Sequence, residues 1–261
     1  MNISVLEKDK EKRKLSFLVK GINATIANSI RRMIIEEVPT MAIEDVEFRD
    51  NSSALYDEII AHRLGLIPLS TDLKTYNLPE ECKCKGKGCA RCQLKMTLST
   101  KGSGMVYAGD IKSKDSKVKP IYPKTPIVKL LKGQKLEFEA TAVLGQGKKH
   151  AKWSPGLVYY KAYPLIEIGS KAANSEKAAN VCPVSVYNFK DGKLKINDKN
   201  LLKCHLCRAC VEACDGIKVL GSNTDFIFTI EGWGQLDPRD IVKEAADRLT
   251  KKCEEFTKAL K

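Results

Sequence analysis

The sequence has little histidine and few aromatic residues. It contains only 3 His residues in 261 positions, and aromatic residues make up 7% of it. It also has no nucleotide-binding glycine motif, no convincing acid/base pair and no nucleophile beside a base, so it predicts no catalytic site. His62 and His150 have no acid, thiol or second His at catalytic spacing, and we interpret them as ordinary helix or loop residues.

Long apolar runs are absent as well. No stretch approaches the ~20 apolar residues that a membrane-spanning helix needs. Residues 1–15 are charged and lack the apolar segment of a secretory signal. We therefore expect a soluble, cytoplasmic protein that makes no contact with a membrane.

Acidic residues are scarce in the middle of the chain. Residues 82–152 carry 17 Lys/Arg and 4 Asp/Glu, whereas residues 1–81 carry 11 and 14, within a chain whose net charge is +13. A concentrated positive face is typical of proteins that meet nucleic acid or an acidic partner. A solvated Lys-rich surface fits the pattern equally well, because Lys dominates over Arg and aromatic residues are sparse.

Cysteine, in contrast, is abundant. The chain has 10 Cys residues, which is many for a cytosolic protein unless most of them bind metal. Nine fall in two groups at ligand-like spacing, which favours metal sites over a secreted disulfide scaffold. Some pairs could still be disulfides, because intracellular proteins of hyperthermophiles can be rich in them.

The stretch CHLCRACVEAC, which begins at Cys204, has the cysteine spacing of a bacterial-type ferredoxin. In that pattern three closely spaced thiolates hold one cluster, and the fourth ligand comes from elsewhere in the chain. Cys204, Cys207 and Cys210 supply the triple, and the remote Cys182, which precedes a proline, supplies a fourth thiolate. The sequence therefore predicts one iron–sulfur cluster on these four residues.

Cys214, the last cysteine of the run, is followed by Asp215 rather than proline. No second cysteine triple precedes Cys182, so Cys214 has no cluster to serve. If Cys214 formed a disulfide with one of the other four, three thiolates would remain, and a [3Fe–4S] cluster would fit better than [4Fe–4S]. The sequence leaves both cluster types open. We interpret His205, inside the run, as a surface residue.

The other cysteine group has the pattern C-x-C-x4-C-x2-C. Two close pairs can provide the four thiolate ligands of a tetrahedral zinc site, and the two glycines between them permit a tight turn. Two disulfides or free thiols are the alternatives. The residues of this candidate zinc site are Cys82, Cys84, Cys89 and Cys92.

Local patterns predict an α+β chain. We expect a strand within residues 4–20, a helix that Asn23 caps and Pro39 ends, a strand over 41–49 and a short helix over 56–64. The segment that follows, up to residue 152, has the strand and turn signals of a mainly β region.

A long helix is predicted from Asp237 to Lys261, because Asp is a favourable N-cap and Pro238 suits the first helical position. Its apolar residues recur at heptad spacing, as in helices that pack on another helix. We expect Cys253, in this seam, to be a buried structural thiol. The seam consists of Val242, Ala246, Leu249, Cys253, Phe256 and Leu260.

Three function classes can be weighed from these features. A ferredoxin-type electron carrier would be small and acidic, whereas this chain is basic and lies mostly outside the cluster segment. A cluster-bearing enzyme would need a catalytic constellation that we do not find. An assembly scaffold, in which the cluster is a structural staple, fits the amphipathic first helix and the heptad seam.

Three stretches resemble one known family. NATIANSIRRMIIEEVPTMAIEDVEF (23–48) resembles the signature of the alpha-type assembly subunits of RNA polymerases. DEIIAHRLGLIPL (57–69) and KHAKWSPGLVYY (149–160) are similar to the archaeal members of this family and to the eukaryotic third-largest polymerase subunit. The resemblance covers nearly the whole chain, and the ferredoxin-like segment points to the archaeal branch.

The resemblance implies a fold of three parts. A split alpha-type dimerisation domain would occupy residues 1–40 and 222–261. An inserted β-rich domain would occupy 41–168, and a small ferredoxin-like iron–sulfur domain would occupy 169–221. Zinc at the Cys82 group would match the eukaryotic relatives.

The resemblance also implies partners and a role. The chain would form a heterodimer with subunit L and make the platform for the large catalytic subunits, while its inserted domain faces subunits N, P and B. It would hold no catalytic residue and would meet DNA only through the complex. The expected partner-facing residues are Ile26, Ile30, Arg31, Arg32, Val242, Leu249, Phe256 and Leu260.

Overall fold

The structure is a computed structural model that describes residues 1–260. In chain order, its helices and strands are β1 (Asn2–Asp9), β2 (Lys14–Lys20), α1 (Ala24–Glu37), β3 (Pro39–Asn51), α2 (Asp57–Gly65), β4 (Gln93–Lys101), β5 (Gly104–Tyr107), β6 (Lys112–Ser113), β7 (Pro126–Leu130), β8 (Lys135–Gln146), β9 (Gly156–Ile168), α3 (Lys177–Val181), β10 (Tyr187–Lys190), β11 (Lys193–Ile196), α4 (Asp198–Leu201), α5 (Ala209–Ala213), β12 (Ile217–Gly232) and α6 (Pro238–Ala259). The expected α+β class is confirmed. Among the described residues, no helix is long and apolar enough to cross a membrane.

The chain forms two compact units, each assembled from three stretches of sequence. The first contains residues 1–7, 16–28 and 159–229. The second contains residues 8–15, 29–158 and those from 230 to the end of the described chain. This division differs from the domain bounds expected above, which stay a prediction.

The first unit is built on a four-stranded sheet in the order β1-β2-β12-β9. Phe17 on β2 stacks on Phe228 of β12, with ring centroids 5.3 Å apart, and Tyr160 of β9 packs against the same ring. Stacked and tilted aromatic contacts of this kind tie the neighbouring strands together. The unit also holds α3, the β10–β11 hairpin, α4 and α5, which carry the second cysteine group.

The second unit contains a four-stranded antiparallel sheet in the order β3-β8-β4-β6 and a two-stranded sheet of β5 and β7. The long strands β3 and β8 pair from Pro39 opposite Gln146 to Asn51 opposite Leu136, with two register shifts on β3. Helix α2 packs on β3 and β7. An apolar core lies between these elements, with Phe138 among its largest fully buried side chains.

The helix ends agree with the sequence signals. The Asn23 side chain accepts a hydrogen bond from the Ile26 amide (2.9 Å), and the Asp237 side chain accepts one from the Arg239 amide (2.9 Å). Both residues therefore cap their helices as expected. Helix α1 ends directly before β3, which begins at Pro39.

The N-terminal prediction was incomplete. Residues 4–20 form two strands, β1 and β2, rather than one. The turn between them uses Arg13 in a left-handed conformation (φ 51°), which the alternating apolar pattern could not reveal. The helix predicted to reach Lys261 ends at Ala259, and Lys261 lies outside the described residues.

Helix α1 is tied to α6 and to the end of β8 by one buried carboxylate. Glu37, whose side chain is 7% exposed, accepts hydrogen bonds from Lys252 (2.5 Å) and Lys148 (3.2 Å). The Gln146 side-chain amide donates to the same carboxylate (3.1 Å). Burial raises the pKa of Glu37, but the two lysines outweigh it and hold the pKa below its usual value.

We expect Glu37→Gln to destabilise the protein by about 2 kcal/mol, because charged hydrogen bonds typically contribute ~1.5–3 kcal/mol. The carboxylate's contribution is present above its unfolded pKa of about 4.3 and is lost as pH falls toward the lower folded pKa. Chemical denaturation of the wild type and the variant between pH 7 and pH 3 measures both effects.

Glu36→Gln is the matched control. Glu36 pairs with the exposed Arg32 on the same helix (3.0 Å), and its loss should change the free energy of unfolding by no more than about 0.5 kcal/mol. Equal effects of the two substitutions at pH 7 would contradict a special role for Glu37.

Candidate metal centres and partner-facing surfaces

The four cysteines of the first group converge on one point. The Sγ atoms of Cys82 and Cys89, of Cys84 and Cys82, and of Cys84 and Cys92 lie 3.5 Å apart, and those of Cys92 and Cys89 lie 3.8 Å apart. All four lie within 4.8 Å of one another. A tetrahedron with metal–sulfur bonds of about 2.3 Å has sulfur–sulfur edges of about 3.8 Å. This geometry fits one tetrahedral zinc ion, and no two sulfurs approach disulfide distance.

The thiols of this group influence one another's ionisation. Hydrogen bonding with Cys82 and Cys92 lowers the pKa of Cys84 to about 6. Burial raises the pKa of Cys92 to about 12. Four adjacent thiols cannot all become thiolates without a cation to compensate their charge, and a zinc ion would supply that charge.

The loop between the cysteines makes the tight turn that its glycines allow. Gly86 (φ 78°) and Gly88 (φ 86°) are left-handed, and a side chain at Gly88 would also collide with Gln93. Just before the loop, Glu81 accepts hydrogen bonds from Arg248 and Lys251 of α6, both at 3.0 Å. The cysteine loop is therefore anchored to α6 by the residue that precedes it.

The second cysteine group has a different arrangement. Cys182, Cys204, Cys207 and Cys210 all line one small cavity. Among the described residues, only the Cys82 group has ligand atoms close enough to share a single ion. Four thiols around a cavity fit a polynuclear iron–sulfur cluster, whose corner irons are held from several sides.

Backbone strain marks this second site. Leu206 (φ 60°) and Arg208 (φ 65°), on either side of Cys207, both adopt the left-handed conformation. Such residues cost about 1–3 kcal/mol each and persist where the surroundings enforce them. Burial also raises the pKa of Cys204, so any metal bound here would have to offset both the strain and the ionisation of the buried thiols.

Cys214 does not join the other four. It is buried (9% exposed), and its thiol donates to the backbone carbonyl of Asp215. All cysteines of the described chain are free thiols. The disulfide between Cys214 and one of the other four cysteines, which would have left three thiolates, is therefore not formed. His205 is exposed at the rim of the cavity.

Two residues beside the cysteines escaped the sequence analysis. The Tyr187 hydroxyl donates a hydrogen bond to Cys210 Sγ (3.3 Å). Lys161 Nζ donates to the carbonyls of Leu202 (2.6 Å) and Cys204 (2.9 Å), and burial lowers the pKa of Lys161. Neither residue lies in the cysteine motif, and only the folding of β9 and β10 brings them to it.

Comparison with known proteins identifies the family. The profile of the RNA polymerase Rpb3/RpoA insert domain matches residues 42–157. The DNA-directed RNA polymerase subunit Rpo3 of Methanosarcina acetivorans is 41% identical over 260 residues, which cover 98% of this chain and 97% of the relative. The chain belongs to the Rpo3 family.

Other Rpo3 subunits align over similar lengths. That of Methanothermobacter thermautotrophicus is 41% identical over 252 residues, 95% of both chains. That of Pyrococcus horikoshii is 36% identical over 262 residues, 100% of this chain and 98% of the relative. The resemblance to archaeal polymerase assembly subunits is thereby confirmed at the level of the family.

The partner-facing residues expected on α1 differ in exposure. Ile26 is 45% exposed, whereas Ile30 and Arg31 are partly buried. Arg32 is exposed and pairs with Glu36. Ile26 therefore does not join the buried face of its own helix, which contains Met33 and Ile34.

The heptad seam of α6 does not include the residues of this helix that are buried within the chain. The buried residues of α6 are Pro238, Ile241 and Ala245. Within the seam, Val242 and Leu249 are partly buried, while Phe256 and Leu260 are 66% and 72% exposed. The expectation for Cys253 was wrong in this chain, because its side chain is exposed at a point where α6 has left the core.

We expect Cys92→Ser to abolish zinc binding at the first cysteine group, because it removes one of the four thiolate ligands. Cys92 itself is only 2% exposed. Elemental analysis of protein purified without chelator should show about one zinc fewer per chain than in the wild type. Cys253→Ser, which removes an exposed thiol outside both groups, is the control and should leave zinc unchanged. Equal zinc contents in all three proteins would exclude the site.

Proposed function

We propose that this chain is the non-catalytic assembly subunit of an archaeal DNA-directed RNA polymerase. The observation that carries the proposal is the alignment with Rpo3 subunits over nearly the full length of both chains. Because the alignment includes the family's insert domain and both flanking regions, it supports the role of the whole subunit rather than of one module.

The electrostatics of the chain support a scaffold role. The carboxylates of Glu37, Asp72 and Glu81, whose pKa values are all lowered, each pair with Lys or Arg. Catalytic metal sites for nucleotidyl transfer instead hold carboxylates near one another around Mg²⁺. Nucleotidyl transfer would accordingly belong to the large subunits of the complex, which this chain helps to assemble.

The proposed heterodimer with a small subunit of the L type would use α1 and the seam of α6. Phe256, near the end of α6, and Leu260, directly after it, are exposed large apolar side chains, and a partner helix would remove them from water. We place the dimerisation domain at residues 1–40 and 222–261. The inserted domain at 41–168 would meet subunits N and P and a large subunit.

The proposed metals are one iron–sulfur cluster and one zinc ion. Cys182, Cys204, Cys207 and Cys210 would hold the cluster within a domain at residues 169–221. The four cavity-lining thiols favour [4Fe–4S], because the alternative [3Fe–4S] rested on a disulfide to Cys214. The cluster would act mainly as a structural staple, since a segment of ~50 residues buries too little apolar surface to be stable alone.

Substituting both Phe256 and Leu260 by Ser should weaken binding of the small partner subunit about 100-fold. Burial of a large apolar side chain contributes ~1.5–3 kcal/mol, and the lower limit of about 1.5 kcal/mol for each of the two corresponds to roughly 100-fold in affinity. The measurement is the dissociation constant of the two subunits, together with mass spectrometry of the assembly that copurifies with the chain from its native cells.

Leu165→Ser is the control for this experiment. Leu165 is 49% exposed on β9, outside the proposed interface, and its loss should leave binding unchanged. A chain that copurifies with a reductase, without two very large subunits, would contradict the assembly role and support the electron-carrier alternative.

For the cluster, we expect the double substitution Cys204→Ser and Cys207→Ser to remove the brown chromophore and the bound iron. The segment 169–221 should then be cut rapidly by protease, because the staple that orders it is gone. Cys214→Ser, which leaves the four proposed ligands in place, should keep iron and protease resistance. Unchanged protease resistance in the iron-free double variant would contradict the structural role.

A further inference from the structure

Tyr187 is buried beside the proposed cluster site. Its side chain is 4% exposed, at the first position of β10, and its ring lines the cavity that the four cysteines share. The hydroxyl lies 3.3 Å from Cys210 Sγ. A buried hydroxyl requires a hydrogen-bond partner, and here the partner is a sulfur atom.

The direction of this hydrogen bond follows from the chemistry of the ligand. A thiolate bound to iron carries no proton and can only accept, so the proton must lie on Tyr187 Oη. The bond to a charged acceptor in a buried site is stronger than a bond between neutral groups in water.

Tyr187 is distinguished from the other groups around the four sulfurs. Cys182 Sγ accepts a hydrogen bond from the backbone amide of Val186 (3.3 Å), which any residue at that position except proline would supply. Among residues 1–260, Tyr187 is the one side chain outside the cysteines that donates a hydrogen bond to one of these sulfurs. One substitution at Tyr187 can therefore remove the hydrogen bond to Cys210 Sγ without altering any of the four cysteines.

We propose that Tyr187 is a positioning residue that raises the reduction potential of the cluster through its hydrogen bond to the Cys210 sulfur. This inference rests on the iron–sulfur site proposed above. Reduction places additional negative charge on the cluster and its sulfur ligands. A hydrogen bond donated to a sulfur ligand stabilises that charge, which makes reduction more favourable.

The redox step itself is a simple electron transfer. The cluster gains one electron from an external low-potential reductant, no covalent bond forms or breaks, and the proton stays on Tyr187 Oη. The tyrosine is neither oxidised nor deprotonated. Its contribution is the difference in hydrogen-bond strength between the two states of the cluster.

The test is a dithionite titration of the full chain, purified without oxygen, as wild type and as Tyr187→Phe. The substitution keeps the aromatic ring in the core and removes the hydroxyl alone. We expect the midpoint potential to fall, so that the oxidised-to-reduced ratio at the wild-type midpoint rises about tenfold, which corresponds to about 59 mV for one electron. Iron and sulfide contents should remain those of the wild type.

Tyr160→Phe is the matched control, because Tyr160 lies in the same unit and packs on Phe226 and Phe228 rather than on a sulfur. Its midpoint should equal that of the wild type. Equal midpoints for the Tyr187 and Tyr160 variants would overturn the inference, as would a rise in the Tyr187 variant. A wild-type protein that contains no iron would instead refute the cluster itself, while copurification with the polymerase tests the assembly role separately.

A second measurement applies if the Tyr187 variant does not retain its cluster. Resonance Raman spectra of the wild type in H₂O and in D₂O report hydrogen bonds to cysteine sulfurs through the iron–sulfur stretching bands. Spectra are recorded at increasing times after transfer to D₂O, so that an early shift from exchange of the Tyr187 hydroxyl is separated from later shifts from the backbone amides of Val186 and Leu206. An early band shift supports the inference, and its absence overturns it.

Discussion

The stability of the segment that carries the second cysteine group depends on how its thiols are held. Its apolar core contains ten buried residues, and three of them are Cys204, Cys210 and Cys214. The helices around this core, α3, α4 and α5, have only 5, 4 and 5 residues, too few to be stable alone. The proposed metal cluster, held by the cysteines of this segment, would add a crosslink to a core that contains so much sulfur and so little helix.

The two cysteine groups show how the same ligand atom serves two different kinds of site. In the Cys82 group the sulfurs lie at the spacing of one ion, within a loop that glycines turn sharply. In the second group the sulfurs surround a cavity, and left-handed residues flank the central cysteine. Residues that are not ligands make polar contacts at both sites. Glu81 accepts a hydrogen bond from Arg248 of α6, and Tyr187 donates one to the Cys210 sulfur. Substitutions at such neighbours can alter a site without removing a ligand.

Much of this arrangement could be predicted from sequence because it is local. Cysteine spacing predicted which thiols would share a cavity, and Asn23, Asp237 and Pro238 predicted where helices begin. The contacts of Tyr187 and Glu37 could not be predicted, because their partners lie 23 to 215 residues away and meet them only in the folded chain. The exposure of Cys253 was missed for a related reason: a heptad pattern shows that a surface is apolar, but not whether the same chain covers it.

The position of β2 in its sheet has a consequence for protein synthesis. β2 lies between β1 and β12, yet β12 begins at Ile217, about 200 residues further along the chain. At ~5–20 residues per second, the first hairpin leaves the ribosome ~10–40 s before the strand that completes its sheet. During that time Phe17 lacks the ring on which it stacks, and a strand edge is open to other chains. The nascent chain therefore exposes an unpaired strand edge for longer than a chain whose neighbouring strands follow one another.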